Sequence, residues 1–81
     1  LEKFDAEKLK KTLPEINVRK AEVIKPGVIL EFYGRQDNRL HVGVALGGDI
    51  FIQSTENQGV RISSIKTAKM YLRLANIYEV E

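Results

Sequence analysis

The chain contains no cysteine and a single histidine, His41. Without cysteine it holds no disulfide, no thiolate zinc site and no cysteine nucleophile of its own. One histidine rules out a histidine metal cluster. What remains is a carboxylate site or one shared with a partner, and the spacing of Asp and Glu suggests neither, so no metal and no cofactor are expected. No apolar run is long enough for a signal peptide or a membrane span. A surplus of one charge is missing too: 13 Lys and Arg stand against 11 Asp and Glu, for a net charge of +2. Mixed charge of this kind is an ordinary water-facing surface and not the footprint of a dedicated nucleic-acid binder. Internal repeats and low-complexity tracts are absent as well. The sequence starts at Leu1 rather than at methionine, which is expected of a piece cut from a longer protein.

Eighty-one residues make one domain near the lower limit for a self-sufficient core. It divides into a helix and connector over 1–25 and an antiparallel sheet core over 26–81. Phe4 to Leu13 reads as an amphipathic helix. Asp5 caps it, Phe4 staples it, Ala6, Leu9 and Leu13 mark the buried side, and Pro14 stops it. Lys8, Lys10 and Lys11 form its water-facing side. Ile16 to Lys25 is an extended connector with room for a short strand. Lys25-Pro26-Gly27 is a type II turn, and Val28 to Tyr33 is a strand of β formers. Gly34 to Arg39 is a polar loop in which Asp37 and Asn38 are turn formers. Further on, Ser54 to Gly59 is a turn and Val60-Arg61-Ile62 a short strand. Ser63 caps a helix running from Ser64 or Ile65 to about Tyr71. Leu72 to Val80 closes the chain as a strand, with Leu72, Leu74, Asn76, Tyr78 and Val80 on one face. Met70 is expected to pack, and Tyr71 and Tyr78 to be core or edge aromatics. The class is α+β: a small curled antiparallel sheet of about five strands, with short helices to one side.

The centre of the chain is Leu40 to Ser54, two alternating segments joined by Gly47-Gly48, a hairpin signal. A two-residue turn on the glycines would place Gln53 on the face opposite His41. A three-residue loop, Leu46-Gly47-Gly48, pairs His41 with Gln53, Gly43 with Phe51 and Ala45 with Asp49. The second register collects Val42, Val44, Ile50 and Ile52 on one face, read as the core face, and is preferred for that sorting. The other face then carries an imidazole beside an amide. A Gln oxygen accepting from one ring N–H fixes the tautomer and leaves the other nitrogen as an outward acceptor. That is the base and orienting half of a nucleophilic triad. Asp49, in the turn, is read as a turn former.

Four segments in order extend this reading. They are Lys25-Pro26-Gly27-Val28-Ile29-Leu30-Glu31-Phe32, His41-Val42-Gly43-Val44-Ala45-Leu46-Gly47, Phe51-Ile52-Gln53-Ser54, and Gly59-Val60-Arg61-Ile62-Ser63-Ser64. From Lys25 to about Ile65, half of the chain, this order resembles the NlpC-type cell-wall peptidases, a papain-like family that cleaves peptide links in peptidoglycan. The resemblance implies a papain-like half-domain in which His41 is the catalytic base and Gln53 its orienting residue. It also implies that Gly43 and Ala45 are small to admit the helix bearing the nucleophile. The implied partners are a peptidoglycan stem peptide and a cysteine-bearing segment, upstream in the same protein or on a partner subunit. The implied setting is the cell envelope, the exterior or a virion. Two departures stand out: Val28 replaces the usual acidic residue after "KPG", and the family's cysteine has no counterpart. Ser54, Thr55, Ser63 and Ser64 do not replace it, since each lies on the wrong segment without a matched oxyanion hole.

The chain alone is therefore expected to hydrolyse nothing. One alternative is an inactive NlpC-like domain with a structural or binding role, as in a phage tail tip or a cell-envelope assembly. Another is a small nucleic-acid-binding β-barrel using Arg35, Arg39, Arg61 and Arg73 with Phe32, Tyr33 and Phe51. The sheet pattern sets Arg35 and Arg39 in a loop and Phe51 beside His41, so nucleic acid is not an expected partner.

Overall fold

The computed structural model describes residues 18–55 and 59–80. The helix expected over Phe4 to Leu13 lies outside the described residues, as does the middle of the turn expected from Ser54 to Gly59. Among the described residues six strands form one antiparallel sheet: β1 (Val18–Lys20), β2 (Ile29–Gly34), β3 (Leu40–Gly47), β4 (Ile50–Thr55), β5 (Gly59–Ser64) and β6 (Leu72–Val80). Their spatial order is β1-β6-β2-β3-β4-β5. One four-residue helix, α1 (Ile65–Ala68), stands between β5 and β6.

This corrects the expected class. The described molecule is a mostly antiparallel β structure, not an α+β papain-like half-domain of about five strands flanked by short helices. The connector contributes a true sixth strand, because Val18, Arg19 and Lys20 pair with Val80, Glu79 and Tyr78. The helix expected to reach Tyr71 ends at Ala68: Ile65 and Ala68 are buried, whereas Lys69, Met70 and Tyr71 after them are exposed. So short a helix has little stability of its own. Met70, expected to pack, is almost fully exposed.

Several local expectations hold. Lys25 to Val28 forms the expected turn: Val28 N–H donates to the Lys25 carbonyl at 3.2 Å, and Gly27 takes φ +91°. That is the left-handed third position a type II turn requires. Asn38 takes φ +54°, and the Asp37 carboxylate accepts from Arg39 N–H at 3.0 Å, closing the loop between β2 and β3.

The core sits on the face not expected to carry it. Leu30, Phe32, Ala45 and Phe51 are buried on the His41 side of the sheet, with Val28, Ile65, Ala68 and Leu72 in the same cluster. The Phe32 and Phe51 ring centroids lie 5.2 Å apart. The apolar face of Val42, Val44, Ile50 and Ile52 holds only a second, smaller cluster of Ile29 and Val42, with Val18, Leu40 and Tyr78 against it. Phe32 and Phe51 are wholly buried on the His41 side, whereas on the other face Val44 and Ile52 are half-buried and Ile50 is exposed.

Strand β6 does not keep one face throughout. Phe32 pairs with Leu74 but Glu31 pairs with Asn76, so Ala75 is an extra residue in β6. An extra residue of this kind inverts the alternation beyond it. Ile77 thereby joins Leu74 against the main core, while Asn76 and Tyr78 turn to the other side.

Candidate functional site

The β3–β4 hairpin brings the two candidate residues together by a register not expected. Gly43 pairs with Gln53, Ala45 with Phe51 and Gly47 with Ile50, with a bulge at Leu46. The turn residues are therefore Gly48 and Asp49. Gly48 has φ +58° and Asp49 is not among the positive-φ residues, the pattern of a type II′ turn with Gly at its first central position. The bulge and the shorter loop together move the pairing by two residues. A shift of two preserves every face, whereas a shift of one would have separated the pair. His41 and Gln53 thus share a face but lie on a diagonal rather than directly opposite.

A diagonal is within reach of long side chains. His41 Nε2 meets Gln53 Oε1 in a close hydrogen bond. An amide oxygen only accepts, so with that oxygen toward the ring a neutral imidazole carries its proton on Nε2 and keeps its lone pair on Nδ1. The other end of the amide is held as well: Gln53 Nε2 donates to Ser63 Oγ at 2.8 Å. Gln53 is buried and His41 half-buried, so the amide is shielded while the ring reaches the surface. The Phe32 ring supports the imidazole from the adjacent strand, with centroids 6.4 Å apart. Phe32 pairs directly with His41, so this support comes from sheet register alone.

Gly43 has a different reason from the one the resemblance implied. A Cβ there would lie 2.6 Å from Phe51 Cδ2 and 2.8 Å from the Ile52 carbonyl oxygen. The space above Gly43 belongs to Phe51, not to an incoming helix, and Ala45 is enclosed in the same core cluster.

Ser63 was legible only as a helix cap, and the neighbouring serine does that work. Ser64 Oγ accepts from Thr67 N–H at 3.2 Å, and its hydroxyl hydrogen-bonds Asp49 Oδ2. Asp49 Oδ1 also accepts from Lys66 N–H at 3.0 Å, and the Asp49 carbonyl from Ile65 N–H at 2.7 Å. Asp49 thereby ties the hairpin turn to α1, at the opposite end of β3 from His41. The Ser64 hydroxyl, with help from Lys66, holds the Asp49 carboxyl below its ordinary range. At the sheet's other edge, Lys25 and Arg19 do the same for Glu79.

Other candidates disperse. Phe32 and Phe51 are wholly buried and offer no stacking surface to a base. Arg73 lies over the Tyr33 ring at 5.6 Å, and Arg35 Nε donates to the Lys69 carbonyl at 2.8 Å. Among the described residues no three of His, Cys, Asp or Glu cluster as a metal site would require. No described helix is long and apolar enough to cross a membrane. Comparison with known protein families, with curated proteins and with solved structures finds no match for this chain.

Proposed function

We propose that His41 and Gln53 are the base and orienting residues of an NlpC-type cysteine peptidase acting on peptide links of peptidoglycan, the nucleophile coming from a segment outside these 81 residues. The observation that carries this reading is the His41 Nε2 to Gln53 Oε1 hydrogen bond, which directs the Nδ1 lone pair away from the amide. The order of the four segments supports it; the overall architecture does not enter. A thiol brought to Nδ1 would lose its proton to the ring, and the thiolate would attack the amide carbon of a stem peptide. The imidazolium would return that proton to the departing amine, and a water activated by the same nitrogen would release the acyl group. Gln53 holds the ring through both proton transfers.

The absence of cysteine from the 81 residues favours one second reading, an inactive relative kept for structure or binding. Hydrolysis of a synthetic stem peptide by the product of the complete natural reading frame separates the two. The peptidase reading expects cleavage, lost on substitution of an upstream cysteine, and a fall of about 10²- to 10⁴-fold in kcat for His41→Ala. A reading frame without cysteine, or a His41→Ala protein as active as the parent, would overturn it.

A further inference from the structure

We propose that β5 is a docking edge for an extended peptide strand in which apolar and acidic residues alternate, independent of the chemistry at His41. The sheet ends differently at its two sides. β1 is three residues long and carries Arg19 and Lys20, the short and charged form that discourages pairing. β5 runs six residues, and Gly59, Val60, Arg61 and Ile62 are all exposed, with no described strand beyond them. Register fixes which of its backbone groups are already used. Ile65 N–H donates to the Asp49 carbonyl and Ile50 pairs with Ser64, so Asp49 and Ile65 form a hydrogen-bonded pair. Such pairs alternate along an antiparallel ladder, which makes Phe51–Ser63 and Gln53–Arg61 the bonded pairs that follow. The two-residue turn demands the same phase, since Ile50 faces Gly47 across it and bonds to β3. The N–H and C=O groups of Val60 and Ile62 therefore point away from β4.

The side chains of these two residues sort with their backbones. Val60 and Ile62 share the face of Ile50 and Ile52, and Ile62 lies directly opposite Ile52. Ile62 is 65% exposed, Ile50 46% and Val60 43%, an apolar border along the open edge. Arg61 belongs to the other face, beside Gln53. A strand added here would hydrogen-bond to Val60 and Ile62 and set apolar side chains next to theirs, while the residue between would meet Arg61. Charge selects the occupant. From Gly59 to Lys69 the chain has Arg61, Lys66 and Lys69 and no Asp or Glu. Asp49 contacts this stretch only at the α1 end, where its carboxylate is engaged by the Ser64 hydroxyl and Lys66 N–H. A second copy of the chain would bring two such basic stretches together, whereas an acidic strand meets opposite charge.

The test uses the full 81-residue chain labelled with nitrogen-15 and two fluorescent peptides, Ser-Val-Glu-Val-Glu-Val-Ser and its counterpart Ser-Val-Lys-Val-Lys-Val-Ser. In the free chain the Val60 and Ile62 amides are expected to exchange with water at least about tenfold faster than those of Arg61 and Ser63. The acidic peptide is expected to bind with a Kd below about 1 mM, a weak affinity suited to a contact smaller than a standard interface. Its binding should slow exchange at Val60 and Ile62 about tenfold. The lysine peptide is expected to bind about fivefold more weakly, and Arg61→Glu to reverse that preference. Ile62→Pro removes an outward donor where an edge strand tolerates proline, and should abolish binding. Should Ile62→Pro fail to fold, Arg61→Glu decides. Equal affinity for the two peptides, no binding of the acidic one at about 1 mM, or protection confined to residues outside β5 would overturn the proposal. So would sedimentation showing the free chain to be a dimer with Val60 and Ile62 already protected, which would give the edge to a second copy. None of these readouts involves His41 or hydrolysis, so failure of the peptidase reading leaves the docking edge standing, and failure here leaves that reading untouched.

Discussion

Among the described residues each face of the sheet buries one polar side chain, and the two are treated differently. On the aromatic side, Gln53 has both ends of its amide occupied, by His41 and Ser63. On the opposite side, Glu31 accepts from Asn76 Nδ2 at 2.9 Å through Oε1, while its Oε2 has no partner among the described residues. Both are buried. A fully satisfied buried polar group rigidifies its surroundings, and a half-satisfied one destabilises them. Gln53 leads through His41 to the surface, whereas Glu31 leads only to Asn76.

Core substitutions should separate the faces most strongly. Phe51→Ala is expected to cost about 3–5 kcal/mol, enough to unfold so small a domain, against about 2 kcal/mol for Val42→Ala on the thinner face. Denaturant midpoints check this, and equal losses would abolish the asymmetry. At the next level, Gln53→Leu is expected to cost about 1–3 kcal/mol by stranding Ser63 and the ring. Glu31→Gln keeps an acceptor for Asn76 and exchanges one unpartnered end for another, so little change in stability is expected. Thermal melts showing both changes to be destabilising would end the comparison.

The smallest effect concerns Asp49, outside both clusters. Its carboxyl lies below the ordinary value of 3.8 in the folded chain, chiefly through the Ser64 hydroxyl. A lowered acid pKa stabilises fully above the unfolded value, and the contribution disappears as pH falls through the folded one. Stability should therefore drop below about pH 4, and Asp49→Asn should flatten that part of the profile. Glu79 titrates in the same direction and supplies the slope that remains. A profile unchanged by the substitution would remove Asp49 as the link between hairpin and helix.

The elements between Pro26 and Val80 were largely legible in the sequence because alternation, Pro-Gly and Gly-Gly signals are local. That His41 and Gln53 share a face was legible for the same reason, although their direct pairing was not the register found. What escaped was non-local. The bulge at Leu46 and the extra residue at Ala75 are one-residue decisions settled by partner strands, and no composition signal marks them. The core face was misassigned because β-branched residues announce a strand more clearly than they announce burial, and Phe32 and Phe51 outweighed them. Ser63 could be read only as a cap, since Ser63 and Ser64 are chemically identical and differ only in the face that strand geometry gives them.

The most direct measurement is the tautomer of His41 in the unmodified chain, read from the long-range proton–nitrogen spectrum of the neutral ring. The expected result is a single tautomer protonated at Nε2, with an unprotonated Nδ1 available to a nucleophile. A ring protonated mainly at Nδ1 would mean that the amide presents its NH2 group, and His41 would not be the base proposed.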